Sequence, residues 1–157
     1  MSLFCDFISI AELEQTFRGD DVLTVFAPTN EAIENIVDSI SNQRDYKFIK
    51  NAVLYHTVTE SLIEPKIDID CNAASTTPLE MANGGIVEVA CIEDIISVVG
   101  DGNSDDASPQ LTNVTMRACN GIVHVIDEVI LPADKDCQTF GTNERNLVFE
   151  GQTSIHR

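Results

Sequence analysis

Tryptophan is absent from this 157-residue chain, and the only other aromatics are two tyrosines and seven phenylalanines. With 43% hydrophobic residues, the core must therefore be aliphatic, built mainly from Ile, Val and Leu. Basic residues are also scarce. Nine Lys and Arg face 26 Asp and Glu, for a formal net charge of −17. A folded monomer of this size exposes about 7,800 Å², so the excess is about one negative charge per 450 Å². That scarcity excludes nucleic-acid binding, which needs cations to neutralise phosphate. It also opposes unaided attachment to anionic lipid. The surplus is compatible with divalent cations, basic partners, or high solubility alone.

Other absences narrow the class further. No apolar run approaches the length of a membrane helix, which excludes direct insertion by a helix. Residues 1–6 lack the basic region and apolar core of a signal peptide. An exported form is expected to have lost its leader, or to be a domain of something longer. There is no GxSxG, phosphate loop, dinucleotide fingerprint or basic patch. No cofactor is implied. Five cysteines are present, Cys5, Cys71, Cys91, Cys119 and Cys137, with no Cys-x-x-Cys and no zinc spacing to histidine. An odd count leaves at least one thiol over. Cys71 and Cys91 bracket a strand pair, and Cys5 and Cys137 lie near the chain ends. Connectivity stays open, with reduced, buried cysteine the alternative for each.

Apolar spacing over residues 7–18 predicts one helix, ended by Gly19. Residues 22–26 predict a buried strand, stopped by Ala27-Pro28. Thr29 or Asn30 caps the next helix, with Glu31 facing its positive end and a stripe of Ala32, Ile33, Ile36, Val37 and Ile40. A further helix is expected over 44–53. Residues 54–58 then switch to period two, the mark of a strand. Beyond residue 67 the text is β-like, punctuated at Asp70, at 83–85, at 100–103 and at Asn120-Gly121. The clearest strands are 86–89, 95–99, 111–118 and 122–126, closed by 129–131. Asn120-Gly121 reads as a two-residue hairpin turn, since both residues take positive φ cheaply. The run Ile122-Val123-His124-Val125-Ile126 suits a central strand covered on both faces. Residues 133–157 lose periodicity and read as a C-terminal tail or linker. Helices first and strands second is the α+β pattern.

Three segments carry a resemblance. Thr24-Val25-Phe26-Ala27-Pro28-Thr29-Asn30-Glu31-Ala32-Ile33 matches the opening signature of the fasciclin-type adhesion domain, and residues 120–127, Asn120 to Asp127, match its closing signature. Tyr55-His56 lies between them, where that family carries a Tyr-His pair. The resemblance spans roughly residues 7–132 and places a fasciclin-type domain at 4–132. It implies an α+β fold, two β-sheets forming a wedge with several helices packed on the side. It also implies an extracellular or cell-surface module rather than an enzyme. Such a module acts in adhesion or matrix assembly through protein–protein or protein–carbohydrate contact, often beside sibling domains. The expected partners are a cell-surface receptor, a matrix protein or carbohydrate. Thr24, Phe26, Ala27, Pro28, Thr29, Asn30, Asn120, Gly121, His124 and Asp127 are the signature positions and read as structural.

The family's Tyr-His region makes Tyr55 and His56 candidate adhesion residues. As neighbours in a half-covered strand, one would be buried and the other partly exposed; the alternative is that both are core. His56 and His124 share strand parity with apolar residues, which predicts neutral rings bonded to backbone or hydroxyl groups. Asn113-Val114-Thr115 is an N-glycosylation acceptor. Parity places Val114, Met116 and Ala118 inward and Asn113, Thr115 and Arg117 outward. Residues 101–106 resemble the start of a calcium loop, but position six is Asp106 rather than Gly and position twelve is Thr112 rather than Glu. An acidic turn is the better account, with weak surface calcium binding through Asp101, Asn103 and Asp105 as the remaining metal reading. Two rivals to adhesion stand: a spacer that binds nothing, and a thiol enzyme using Cys119 with His124 or His56 and Asp127.

Overall fold

A computed structural model describes residues 2–37, 46–64, 69–72, 76–104, 106 and 108–133. Those residues form two β-sheets and a helical layer, an α+β architecture. The helices are α1 (Ser2–Ile10), α2 (Glu14–Arg18), α3 (Asn30–Val37) and α4 (Tyr46–Tyr55). No helix among the described residues is long and apolar enough to cross a membrane.

The single helix expected over 7–18 is two. Ala11 and Leu13 are both buried. Two residues apart on one helix, they would point to nearly opposite sides. The chain breaks instead at Glu12, in the left-handed region with φ 54°. The N–H of Glu12 bonds the carbonyl of Ser9, and that of Leu13 bonds the carbonyl of Ile8. This is the Schellman pattern with glutamate where glycine usually sits. Gly19 keeps negative φ (−70°).

Strands β1 (Leu23–Pro28), β2 (Thr57–Thr59), β6 (Leu111–Ala118) and β7 (Gly121–Ile126) form one sheet in the order β2-β1-β7-β6. The central β1 and β7 run parallel, with Phe26 opposite His124. Every residue of β1 is buried because both its faces are covered. Phe26 joins the core between the sheets, while Leu23, Val25 and Ala27 pack under the helices. Pro28 belongs to the strand, as its last residue. Thr29 caps α3 by accepting the Ala32 N–H at 3.2 Å. Asn30 does other work: its Oδ1 accepts the Leu3 N–H at the start of α1. The part of the α3 stripe reaching Ile40 lies outside the described residues.

Strands β3 (Thr77–Glu80), β4 (Ile86–Ile92) and β5 (Ile95–Val99) form the second, antiparallel sheet. Cys71 and Cys91 form a disulfide, Cα–Cα 4.8 Å, against the core between the sheets. Cys137 lies outside the described residues, as does the assigned tail beyond Ala133.

Other expectations need correction. Leu54 and Tyr55 belong to α4, so the strand reduces to β2. The α4 stripe of Ile49 and Val53 continues helically into this turn and carries Tyr55 inward. Residues 129–131 form no strand; the N–H groups of Ile130 and Leu131 bond side chains instead. Among the described residues β6 pairs only with β7, and a bulge shifts its register between Leu111 and Thr115. As an edge strand it has neither face closed: Val114 and Met116 are exposed, against the expected inward facing.

Candidate functional site

The Tyr55–His56 pair sits at the junction of α4, both sheets and the segment 129–132. Neither side chain reaches the surface; each is 2% exposed. The expectation that one would be outward fails because the strand parity behind it does not exist. The Tyr55 hydroxyl donates to the Ile86 carbonyl at 3.0 Å. Its ring fills space left by Gly85 and Gly100, where an added Cβ would approach Tyr55 to 2.6 and 2.9 Å. His56 Nδ1–H donates to the Ala52 carbonyl at 2.8 Å, and Nε2 accepts the Ile130 N–H at 3.0 Å. Phe4 of α1 meets the ring edge-on at 5.9 Å. Burial lowers the His56 pKa from 6.5 to about 4, with the Ala52 carbonyl opposing that fall. The ring is therefore neutral at pH 7, as its acceptor role requires.

His124 is held differently. Its Nε2 faces the Ile63 carbonyl at 2.8 Å, which fixes the proton there. The Thr115 hydroxyl then donates to Nδ1 at 3.2 Å. Phe26 stacks on the ring, centroids 5.7 Å apart. Thr24 serves the same segment: its Oγ1 donates to the Ser61 carbonyl and accepts the Ile63 N–H. Arg117 on β6 pairs with Glu64. Thr24, His124 and Arg117 thus hold residues 61–64 to the first sheet.

The closing signature is also structural. Cys119 and Asn120, rather than Asn120 and Gly121, form the β6–β7 turn, because Ala118 pairs with Gly121. Gly121 has no positive φ. It is small because β1 approaches: a Cβ would lie 2.2 Å from the Leu23 carbonyl oxygen. Asn120 donates to the carbonyls of Phe17 and Gly19, joining the turn to the end of α2. The Asp127 carboxylate accepts the Gln110 N–H at 2.7 Å.

These bonds decide several chemical readings. Cys119 is exposed in its turn, whereas both histidines are buried with their ring nitrogens engaged. The thiol, imidazole and Asp127 carboxylate are not assembled. Asn103 Oδ1 accepts the N–H groups of Gly100 and Leu131, and its Nδ2 donates to the Val129 carbonyl. It is a loop tie rather than a calcium ligand. Asp101 is exposed beside it, and Asp105 lies outside the described residues. No group of three potential metal ligands occurs among the described residues. Asn113 is exposed on β6, where a glycan has room. An apolar cavity of about 50 Å³ lies between α1, α3 and α4, bounded by Phe4, Ile33, Phe48 and His56. His56 offers it no free polar nitrogen.

The surface that sequence reading missed is the outward side of the second sheet. In β4, Val87, Val89 and Cys91 point into the core, so Ile86, Glu88, Ala90 and Ile92 point out. In β5, Ile96 and Val98 point in, leaving Ile95, Ser97 and Val99 outside. Ile92 is 71% exposed, Ile95 46% and Ile86 45%. Ile92 and Ile95 pair directly at the hairpin tip. The signal was present in part: both strands carry Ile or Val at both parities, although only one face meets a core.

Comparison with known proteins agrees with this architecture. The chain is 26% identical over 127 residues to the transforming growth factor-beta-induced protein ig-h3 of Sus scrofa, covering 80% of this chain and 17% of that protein. It is 24% identical to periostin of Homo sapiens, covering 85% of this chain and 15% of that one. Protein sll1483 of Synechocystis is 26% identical, with 80% and 63% covered. The chain thus spans less than two thirds of each of these relatives. A FAS1 domain pair from the insect cell adhesion molecule fasciclin I superposes with a TM-score of 0.62 at 22% identity, covering 82% of this chain and 44% of that chain. The fasciclin domain model matches residues 1–132, and the chain belongs to the fasciclin family.

Proposed function

We propose that this chain is a protein-binding module of the adhesion or matrix type, working outside the cell or at its surface as one unit of a longer protein. The observation that carries the reading is the uncovered apolar face of β3-β4-β5. A module that only spaced its neighbours would have no use for isoleucines exposed to this extent beside a well-packed core. Family membership supports it, since a structural relative is a cell adhesion molecule. The Cys71–Cys91 bridge suits an oxidising compartment, and the exposed Asn113 acceptor suits secretion. Tyr55 and His56 serve adhesion only indirectly, by holding the fold. Residues 133–157 act as a tail or linker towards a neighbour.

Attachment of cells to surfaces coated with the purified chain tests the reading. Attachment above an albumin control is the expected result. Indistinguishable attachment at saturating coating density would return the chain to the spacer class. Intact mass of native material, before and after reduction, tests the extracellular assignment through its bridge and glycan.

A further inference from the structure

Resting on that reading, we infer that the outward face of β3-β4-β5 docks a partner segment in which apolar and basic side chains alternate. The register lays out the face row by row. Glu80 lies beside Ile86, Pro78 beside Glu88, and Glu88 beside Val99. Ala90 lies beside Ser97, and Ile92 beside Ile95. Glu93 and Asp94 close the tip as a two-residue turn, both in the left-handed region and both exposed. From Ile86 to Ile92 the face runs about 20 Å, and three strands make it about 10 Å wide. That area belongs to a modest or transient contact unless neighbouring loops extend it.

Charge selects the occupant. Residues 67–116, which include the whole sheet, contain no Lys, Arg or His. Every charge on these strands and their tip is therefore negative: Glu80 lies beside Ile86, Glu88 lies mid-face on the central strand, and Glu93 and Asp94 follow Ile92 at the tip. A second copy of this chain would bring two such acidic faces together, and the like charges would repel. Lys or Arg interspersed with apolar side chains would pair with these carboxylates while the apolar side chains covered the isoleucines. The charges then set encounter rate and salt dependence, and Ile92 and Ile95 hold the complex once formed.

The test uses the full chain and a short peptide of alternating Lys and Leu, beside an analogue with Ser for every Leu. Amide shifts followed by NMR should cluster on residues 86–95. The Ile92→Thr/Ile95→Thr variant, which keeps β-branching at both positions, should bind about tenfold more weakly. Glu93→Gln/Asp94→Asn should weaken binding and flatten its salt dependence. The Lys-Ser peptide should bind the wild type as weakly as the Lys-Leu peptide binds the isoleucine variant. Equal binding of both peptides, shifts centred elsewhere, or self-association lost in the isoleucine variant would each overturn the inference. Cell attachment separates the two claims. If wild type and isoleucine variant attach equally, the face is wrong and the adhesion reading stands. If wild type does not attach, the adhesion reading fails whatever the peptide does.

Discussion

At the scale of single residues, His56 carries the sharpest prediction. Its folded pKa of about 4 lies below the ordinary 6.5. The unfolded chain therefore takes the proton first, and acid favours unfolding. The stabilisation is fully present above about pH 6.5, declines as pH falls, and is exhausted near pH 4. Its full size is about 3 kcal/mol. Ring ¹⁵N shifts should show His56 Nε2 unprotonated at pH 5.5, where an ordinary histidine is mostly charged. In denaturant melts, His56→Gln should lose this contribution to the acid slope relative to wild type. Glu12 carries a second prediction. A left-handed glutamate costs about 1–2 kcal/mol, and the Schellman bonds are already made. After the entropy glycine adds to the unfolded chain, Glu12→Gly should raise stability by about 0.5–1 kcal/mol, read as a higher urea midpoint. These two residues mark what sequence can and cannot disclose. Apolar neighbours at period two pointed to a buried, neutral His56, although the local element is the end of a helix. Glu12 gave no signal, because its conformation is imposed by burying Ala11 and Leu13, a tertiary demand.

At the scale of elements, the tie made by Asn103 decides how the loop after β5 meets the segment 129–132. One side chain satisfies three backbone groups: the N–H groups of Gly100 and Leu131 and the carbonyl of Val129. Asn103→Ala should cost about 2–4 kcal/mol, since partly buried backbone groups lose their partners. Added calcium should restore none of it in a thermal melt; rescue by calcium would revive the metal reading. Elements were legible where one physical cause dominated. The largely apolar runs 23–26 and 122–126 became central strands because helices and a second sheet cover both sides of them. The hairpins were less legible. Asn120-Gly121 looks like a turn with positive φ, yet Gly121 is small to admit the Leu23 backbone. The turn with two left-handed residues is Glu93-Asp94, where the flanking strand register forces a conformation that Glu resists. β6 misled for a related reason. Its alternation describes a strand, but whether a face is covered depends on strand order, and order is a property of the sheet.

At the scale of the whole molecule, charge and apolar surface act together. A net charge of −17 repels itself most in the compact state. Screening should relieve that repulsion: between 10 and 150 mM NaCl the Debye length falls from about 30 to about 8 Å. The fold should gain stability over this range, by about 1 kcal/mol, measured as a rising urea midpoint at fixed pH. A partner with interspersed basic side chains should respond with the opposite sign, binding more weakly as the same salt screens Glu80, Glu88, Glu93 and Asp94. The two slopes separate two roles for one surplus of charge. If stability rises with salt and binding is indifferent to it, these carboxylates are only a solvated surface, and the isoleucines alone hold whatever docks there. If binding falls as stability rises, the carboxylates take part in recognition, and repulsion within the fold is the cost of a surface that admits basic partners and turns away copies of itself.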